Sequence, residues 1–193
     1  MNKKNAYLFL YDQFVDFEVI QALLLLRDSH NLTTIGFQKG LVNSFCNLNI
    51  EASMAIEDLN VVDADVFIIP GGEPKDFIRN EKYSKKILCL NDKLNELAKN
   101  GKIIAAICGG PTFLANAGIL DGNNCTASID DEGEIKFYEK STFKDTNYVL
   151  DKNILTAQGH AFTEFAVQLA KLSGVLKTDE EVEQTRNWLR NIE

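Results

Sequence analysis

Short apolar runs recur along the chain and are bounded by polar residues, glycine or proline. Runs of this length and composition are typical of buried strands. They predict strands at residues 6–11, 33–37, 66–69 and 103–107. Residues 148–157 predict two further strands that turn at Asp151-Lys152-Asn153. Six predicted strands indicate a protein that is built around a buried β-sheet.

Longer stretches with apolar residues three and four positions apart lie between these runs. They predict helices at residues 14–27, 88–97, 112–117 and 162–172, and a polar helix at residues 180–192. Asn100-Gly101 ends the second of these helices, as expected for a helix C-terminus.

Strands alternate with helices from end to end, which favours a mainly parallel sheet with helices on both faces. We therefore expect an α/β fold, a doubly wound three-layer sandwich. The chain has 193 residues, about the length of one domain. Because no repeat or linker interrupts it, we expect residues 1–193 to form a single domain.

Charge and cysteine usage narrow the function classes. Twenty basic against 28 acidic side chains give a formal net charge of −8, which argues against nucleic acid and anionic membranes as partners. No apolar run approaches the roughly 20 residues of a membrane span. The four cysteines form no C-x-x-C pair, and there are only two histidines. We expect a cytoplasmic protein with reduced thiols, no metal and no cofactor.

Candidate chemistry follows the predicted strands, where the crevice of such a sheet lies. Residues 105–111, Ala-Ala-Ile-Cys-Gly-Gly-Pro, have the layout of a nucleophile elbow, a sharp turn from a strand into a helix. A thiol at a helix N-terminus is favoured as the thiolate, so we expect Cys108 to be the most acidic thiol. The alternative is a buried structural cysteine.

Two other strand ends could face Cys108. Pro70-Gly71-Gly72 follows a strand, and its backbone N–H groups could bind an anion or form only a tight turn. Glu18 lies in the segment after the first strand, next to Phe17. It is either an exposed helix-surface residue or a protonated carboxyl that donates a hydrogen bond to the Cys108 thiolate.

These motifs resemble the ThiJ/PfpI superfamily. The matching segments, in family order, are residues 14–18, 69–72, 105–112, 155–159 and 164–166. The resemblance implies a flavodoxin-like fold of the class I glutamine amidotransferase type. It also implies Cys108 as the reactive thiol, Glu18 as its protonated partner, and the amides of Gly72 and Gly109 around the thiolate.

The chain departs from the family pattern at two histidines. The peptidase-like branch has a histidine directly after the cysteine, where this chain has Gly109, and the deglycase branch has one later, where Ser128 falls. His160 follows a predicted strand, with Glu164 four residues later, and is the candidate substitute base. Its alternative is an ordinary residue at a helix start. His30 lies in a polar turn and is expected at the surface.

Four functions remain open. We expect first a stress-response protein whose Cys108 is oxidised reversibly by an oxidant. The second is a glyoxalase- or deglycase-type enzyme that uses Cys108 on a small electrophile such as methylglyoxal. The third is an amidase or amidotransferase-like hydrolase with His160 as base. The fourth is a non-catalytic chaperone or regulatory protein.

The resemblance also implies a homodimer. The first predicted helix carries four leucines in a row, residues 23–26, so it is apolar all round. Such a helix has one face for its own sheet and another that a second copy of the chain could cover.

Overall fold

Strands and helices alternate along the chain. The computed structural model describes residues 3–129 and 131–191. The strands are β1 (Lys4–Leu10), β2 (His30–Gly36), β3 (Gly40–Asn43), β4 (Asn49–Ala52), β5 (Met54–Ala55), β6 (Val66–Ile69), β7 (Ile103–Ile107), β8 (Asn124–Cys125), β9 (Thr142–Phe143), β10 (Tyr148–Asp151) and β11 (Ile154–Ala157). The helices are α1 (Phe17–Leu26), α2 (Pro74–Ile78), α3 (Ser84–Lys99), α4 (Pro111–Asn116), α5 (Glu132–Ile135), α6 (Phe162–Leu172) and α7 (Asp179–Arg190).

The central sheet has seven strands in the order β10-β11-β7-β6-β1-β2-β5. Only β10 is antiparallel to its neighbour, and the other neighbouring pairs are parallel. Helices α1, α6 and α7 pack together, as do α2, α3 and α4. The predicted α/β fold with a mainly parallel, helix-flanked sheet is confirmed. Strand β6 is apolar and wholly buried, as expected for a strand that is covered on both faces.

The strand order reverses next to β1. The chain passes from β1 to β2 on one side and later returns to β6 on the other side. In sheets of this kind the functional crevice lies outside the carboxyl ends of the strands at such a reversal. Ile69 of β6 pairs with Ala106, and Ile107 of β7 pairs with Ala157. The last residues of β6, β7 and β11 therefore lie side by side at the carboxyl ends of the parallel strands.

Helix α1 begins at Phe17, not at residue 14 as the apolar spacing predicts. Phe14 and Val15 instead form isolated bridges to Ser44 and Gly71. The Val15 N–H donates to the Gly71 carbonyl at 2.9 Å. Asp16 then caps the helix by accepting the Phe17 N–H at 2.9 Å. The segment before α1 thus ties the helix to the carboxyl end of β6.

The structure contradicts the surface position expected for His30. Its ring is buried at the first residue of β2, which pairs with Lys4. Nδ1 lies 2.8 Å from the Ser29 hydroxyl. Among the described residues Nε2 has no partner. The polar residues around His30 suggest a turn. Strand β2, however, begins at His30, three residues before the segment 33–37 that was predicted as the strand.

The antiparallel pair β3–β4 was not predicted. Leu41 is exposed and Ile50 is only half-buried, so no regular alternation of buried apolar residues marks the strands. The predicted pair within residues 148–157 is confirmed as β10 and β11. The predicted end of the last helix, Ile192, lies outside the described residues. In the part of the chain described here, no helix is long and apolar enough to cross a membrane.

Candidate active site

Cys108 occupies the turn between β7 and α4. Its backbone φ is +60°, the left-handed region that residues with a Cβ rarely adopt. The Cys108 N–H donates to the Ala157 carbonyl at 2.9 Å, and the Ser128 N–H donates to the Cys108 carbonyl at 2.9 Å. Both backbone groups are therefore held while the side chain points into a cavity. This is the geometry predicted for a nucleophile elbow.

Glu18 faces Cys108 from the first turn of α1. Its side chain is buried, with 3% of the residue exposed, so the alternative of an exposed helix-surface glutamate is wrong. Oε2 accepts the Gly71 N–H at 3.0 Å. The carboxyl group also hydrogen-bonds with the Cys108 thiol. The structure thus brings together the two residues that the sequence singled out.

Burial dominates the acid–base properties of this pair. It raises the pKa of Glu18 to about 7, although hydrogen bonds from Cys108 and Gly71 oppose the shift. Burial and the facing Glu18 carboxylate raise the pKa of Cys108 to about 12. One buried charge disfavours a second, so between these values the pair holds one proton. Burial and the ionised Glu18 both act against the expected acidity of Cys108, and its rank among the four thiols stays a prediction.

Three further groups surround the sulfur. The Gly109 N–H and the Ser128 hydroxyl hydrogen-bond with Cys108 and oppose the rise in its pKa. Ser128 also accepts the Gly159 N–H at 3.0 Å. Gly72 lines the same cavity, and a Cβ built at Gly109 would lie 2.3 Å from the Gly72 carbonyl oxygen. The two predicted glycines therefore meet beside the thiol.

Two glycines allow Glu18 and Cys108 to approach each other. A Cβ at Gly159 would lie 2.8 Å from Glu18 Oε1 and 2.9 Å from Cys108 Sγ. A Cβ at Gly71 would lie 2.6 Å from the Cys108 Cβ. Neither position tolerates a side chain without a shift of the pair. Sequence reasoning placed both glycines in motifs but gave neither a role in packing the pair.

His160 does not join this group. Its ring is exposed, and Nε2 lies 3.1 Å from Asn147 Oδ1. Glu164, the third member of the candidate triad, is buried against α7, where it forms ion pairs with Arg186 and Arg190. His160 is not among the described residues that line the Cys108 cavity. The arrangement of Cys108, His160 and Glu164 required for a triad is therefore not formed.

The cavity that contains Cys108 has a volume of about 540 Å³. Its lining residues include aromatic side chains and several carboxylates, namely Asp12, Phe45, Glu73, Asp76, Phe77, Tyr83 and Glu134. Of the other cysteines, Cys46 is exposed, Cys89 is half-buried and Cys125 is buried. Within residues 3–129 and 131–191, no group of three or more His, Cys, Asp or Glu side chains could hold a metal ion.

Comparison with known proteins agrees with this geometry. The model of the DJ-1/PfpI family matches residues 4–172. The chain belongs to the DJ-1/PfpI family. The expected resemblance to the ThiJ/PfpI superfamily is thereby confirmed.

Relatives within the DJ-1/PfpI family carry different names. The uncharacterized protease YoaZ of Bacillus subtilis is 28% identical over 98% of this chain and 91% of its own length. The deglycase PfpI of Pyrococcus furiosus is 26% identical over 74% of this chain and 86% of its own length.

Solved structures support the flavodoxin-like DJ-1/PfpI fold. The thiJ/pfpI family protein from Bacillus anthracis superposes with a TM-score of 0.82 at 23% identity, over 98% of this chain and 92% of that protein. Drosophila melanogaster DJ-1beta superposes with a TM-score of 0.75 at 24% identity, over 98% of both chains.

Proposed function

We propose that this chain is a cysteine-dependent enzyme that acts on small aldehydes with an adjacent carbonyl group, such as methylglyoxal. The observation that carries the proposal is the buried contact between the Cys108 thiol and the Glu18 carboxyl. A carboxylate whose pKa is raised to about 7 is suited to accept and return a proton near neutral pH. Deglycase-named relatives in the same family support this chemistry.

The first step is addition of the thiol to the aldehyde. As Sγ of Cys108 forms a bond to the aldehyde carbon, the thiol proton passes to Glu18. Glu18 then donates it to the former aldehyde oxygen, which gives a hemithioacetal. The Gly109 N–H and the Ser128 hydroxyl hydrogen-bond with Cys108, and we assign to them the stabilisation of negative charge that develops during addition.

The second step moves hydrogen between neighbouring carbons. The Glu18 carboxylate removes the proton from the carbon bonded to sulfur, and the electron pair forms a carbon–carbon double bond as the neighbouring carbonyl becomes an enolate oxygen. Glu18 then returns the proton to the adjacent carbon, and the hydroxyl proton of the hemithioacetal passes to the enolate oxygen, which gives a thioester of the 2-hydroxy acid. Water then cleaves the thioester, releasing lactate from methylglyoxal and restoring the thiol. The sum is one dicarbonyl plus one water, with no external oxidant or reductant.

The other functions are less well supported. Redox sensing uses a thiolate that is present in the resting protein, and burial and Glu18 disfavour that charged form of Cys108. The proposed addition instead transfers the thiol proton to Glu18 as the bond to carbon forms. An amidase of the predicted form requires His160, whose ring contacts Asn147 instead. A non-catalytic chaperone or regulatory protein needs no base beside its thiol.

The test is turnover against a panel of glyoxals, amides and peptides. We expect dicarbonyl turnover that Cys108→Ser abolishes. Glu18→Gln should lower kcat/KM by about 100-fold or more, since it removes the general base. Cys89→Ser, which changes a half-buried thiol of α3 outside the cavity, is the matched control and should retain activity. Turnover that survives in Cys108→Ser would overturn the proposal.

The pH profile provides a second readout. Glu18 must be ionised to accept the thiol proton, and burial raises its pKa to about 7. We therefore expect kcat/KM to rise with pH through about 7 and then level off. A rate that falls as pH rises through this range would show that Glu18 acts in its protonated form in the free enzyme.

A further inference from the structure

The cavity around Cys108 is lined by side chains of one charge. Its four charged lining residues are all acidic: Asp12, Glu73, Asp76 and Glu134. No Lys, Arg or His of residues 3–129 and 131–191 lines it. Any molecule that approaches the thiol therefore passes carboxylates and no facing cation.

Lys75, which contacts two of these acidic residues, is already engaged. Lys75 Nζ lies 2.9 Å from Asp131, 3.1 Å from Glu73 and 3.7 Å from Glu134, so three carboxylates share one positive charge. These contacts, with Asp131 first, raise the pKa of Lys75 above its ordinary value. Its charge is compensated within this cluster and does not offset the remaining carboxylates.

Asp76 lines the Cys108 cavity alone, whereas Asp12 lines both this cavity and a neighbouring one. Both are exposed, and within the described part of the chain neither forms an ion pair. The neighbouring cavity is lined by Lys39, Lys82 and Lys86. Lys39 forms an ion pair with Asp58, Lys82 lies over the Tyr83 ring, and Lys86 donates to Gln38. The mouth of the Cys108 cavity is therefore net negative, as is the whole chain at −8.

We propose that this cavity selects electrophiles by charge: it admits neutral and cationic molecules and excludes anionic ones. The substrate class that follows rests on the proposed function. It consists of aldehydes without a carboxylate or phosphate group, including aldehydes that carry an amine. Phe45, which is 60% exposed, adds an aromatic face that favours a cation with a short apolar body.

The effect has a size that can be measured. Clefts lined by charges of one sign change the encounter rates of charged ligands by about 10- to 1000-fold. Such fields are screened over about 8 Å at physiological salt. Charge selection at Cys108 should therefore be large in dilute buffer and weak at high salt.

The experiment measures modification of Cys108 by methanethiosulfonates that differ in charge. The reagents carry a methyl group, a trimethylammonioethyl group or a sulfonatoethyl group. Each rate at Cys108, followed by peptide mass spectrometry, is divided by the rate of the same reagent with 2-mercaptoethanol. This division removes the intrinsic reactivity of each reagent. Cys108→Ser defines the background at the other thiols.

We expect the corrected rate for the cation to exceed that for the anion by about tenfold or more in dilute buffer, and the ratio to fall in 0.5 M salt, about a 4 Å screening length. The double variant Asp12→Asn/Asp76→Asn should lower this cation-to-anion ratio by about threefold or more, because it removes two of the carboxylates that line the cavity. The matched control is Asp28→Asn, which removes an exposed carboxylate at the opposite edge of the sheet and should leave the ratio unchanged.

Equal corrected rates for cation and anion would overturn this inference, as would an equal response to Asp28→Asn. The measurement does not depend on turnover. Charge selection without turnover of any dicarbonyl would overturn the proposed function alone. Turnover of dicarbonyls with a ratio near one would overturn charge selection alone.

Discussion

At the scale of single residues, the site depends on a carboxyl group placed where water cannot solvate it. Glu18 is 3% exposed, and its carboxyl group accepts a hydrogen bond from one backbone N–H, that of Gly71. The unfolded chain would ionise this residue at its ordinary pKa of 4.5, whereas burial raises the folded pKa to about 7. The group that serves as base therefore costs stability at neutral pH.

Glu18→Gln should stabilise the fold above pH 7. Between pH 4.5 and about 7 the folded chain retains a proton on Glu18 that the unfolded chain has lost, so stability falls as pH rises. The loss is complete above the folded pKa and amounts to about 3 kcal/mol. A neutral amide avoids it and still accepts the Gly71 N–H.

Calorimetry at pH 5 and pH 8 measures this effect. The variant should have a higher Tm than the parent at pH 8, and the difference should shrink at pH 5. Glu51→Gln, at an exposed glutamate, is the control and should change the Tm little at either pH. An equal Tm difference at both pH values would mean that Glu18 titrates normally.

At the scale of elements, Asp16 joins α1 to the pair β3–β4. Its carboxylate caps the helix at Phe17 and accepts the Ser44 hydroxyl at 2.6 Å. Burial raises the pKa of Asp16, but these hydrogen bonds outweigh burial and lower it overall. Glu18 lies two residues further along the same helix. The cap therefore sets the position of the base.

Asp16→Ala should lower both stability and activity. Loss of a buried cap costs about 2 kcal/mol, and the first turn of α1 should lose the register that aims Glu18 at Cys108. Asp16→Asn retains an acceptor for the Phe17 N–H and should restore most of the activity. Urea unfolding and kcat/KM check this prediction. Activity lost equally in both variants would show that the charge of Asp16, not its cap, is needed.

The sequence predicts an element correctly where the apolar residues of that element are the buried ones. Strands β6 and β7 and helix α6 have the predicted bounds because their apolar residues are buried as the pattern requires. Glu18 reverses that pattern: it is buried, while Phe17 and Ile20 beside it are 48% and 55% exposed. No periodicity predicts such an inversion, so the pattern left the burial of Glu18 open and the resemblance favoured it. The contacts of Ser128 and Gly159 with the pair likewise depend on tertiary packing.

At the scale of the whole molecule, α1 presents an apolar face to the outside. Ala22 and Leu26 are buried, whereas Phe17 and Ile20 are among the exposed large apolar residues. The Phe17 ring packs edge-on against Phe162 of α6 at 6.2 Å, which extends the face onto a second helix. The homodimer expected from the sequence remains a prediction, and this face is where we place its interface.

Ile20→Asp should convert the dimer to a monomer. A charge buried in an apolar interface costs far more than the same charge in water. Sedimentation equilibrium should give about twice 21.6 kDa for the parent and 21.6 kDa for the variant. The control is Leu88→Asp, an exposed leucine on α3, which should leave the mass unchanged. A parent that sediments as a monomer at all concentrations would rule out the dimer.

The left-handed backbone at Cys108 affects the design of an inactive protein. A residue with a Cβ pays about 1–2 kcal/mol for this conformation, whereas glycine adopts it freely. Cys108→Gly and Cys108→Ala both lack the sulfur, so their difference in stability reports the backbone cost less the extra freedom of glycine in the unfolded chain. Chemical denaturation should show the glycine variant to be more stable by about 1 kcal/mol. Cys108→Ser is then the better inactive variant for kinetic comparison. It keeps a Cβ in the left-handed conformation, as in the parent, and replaces only the sulfur by oxygen.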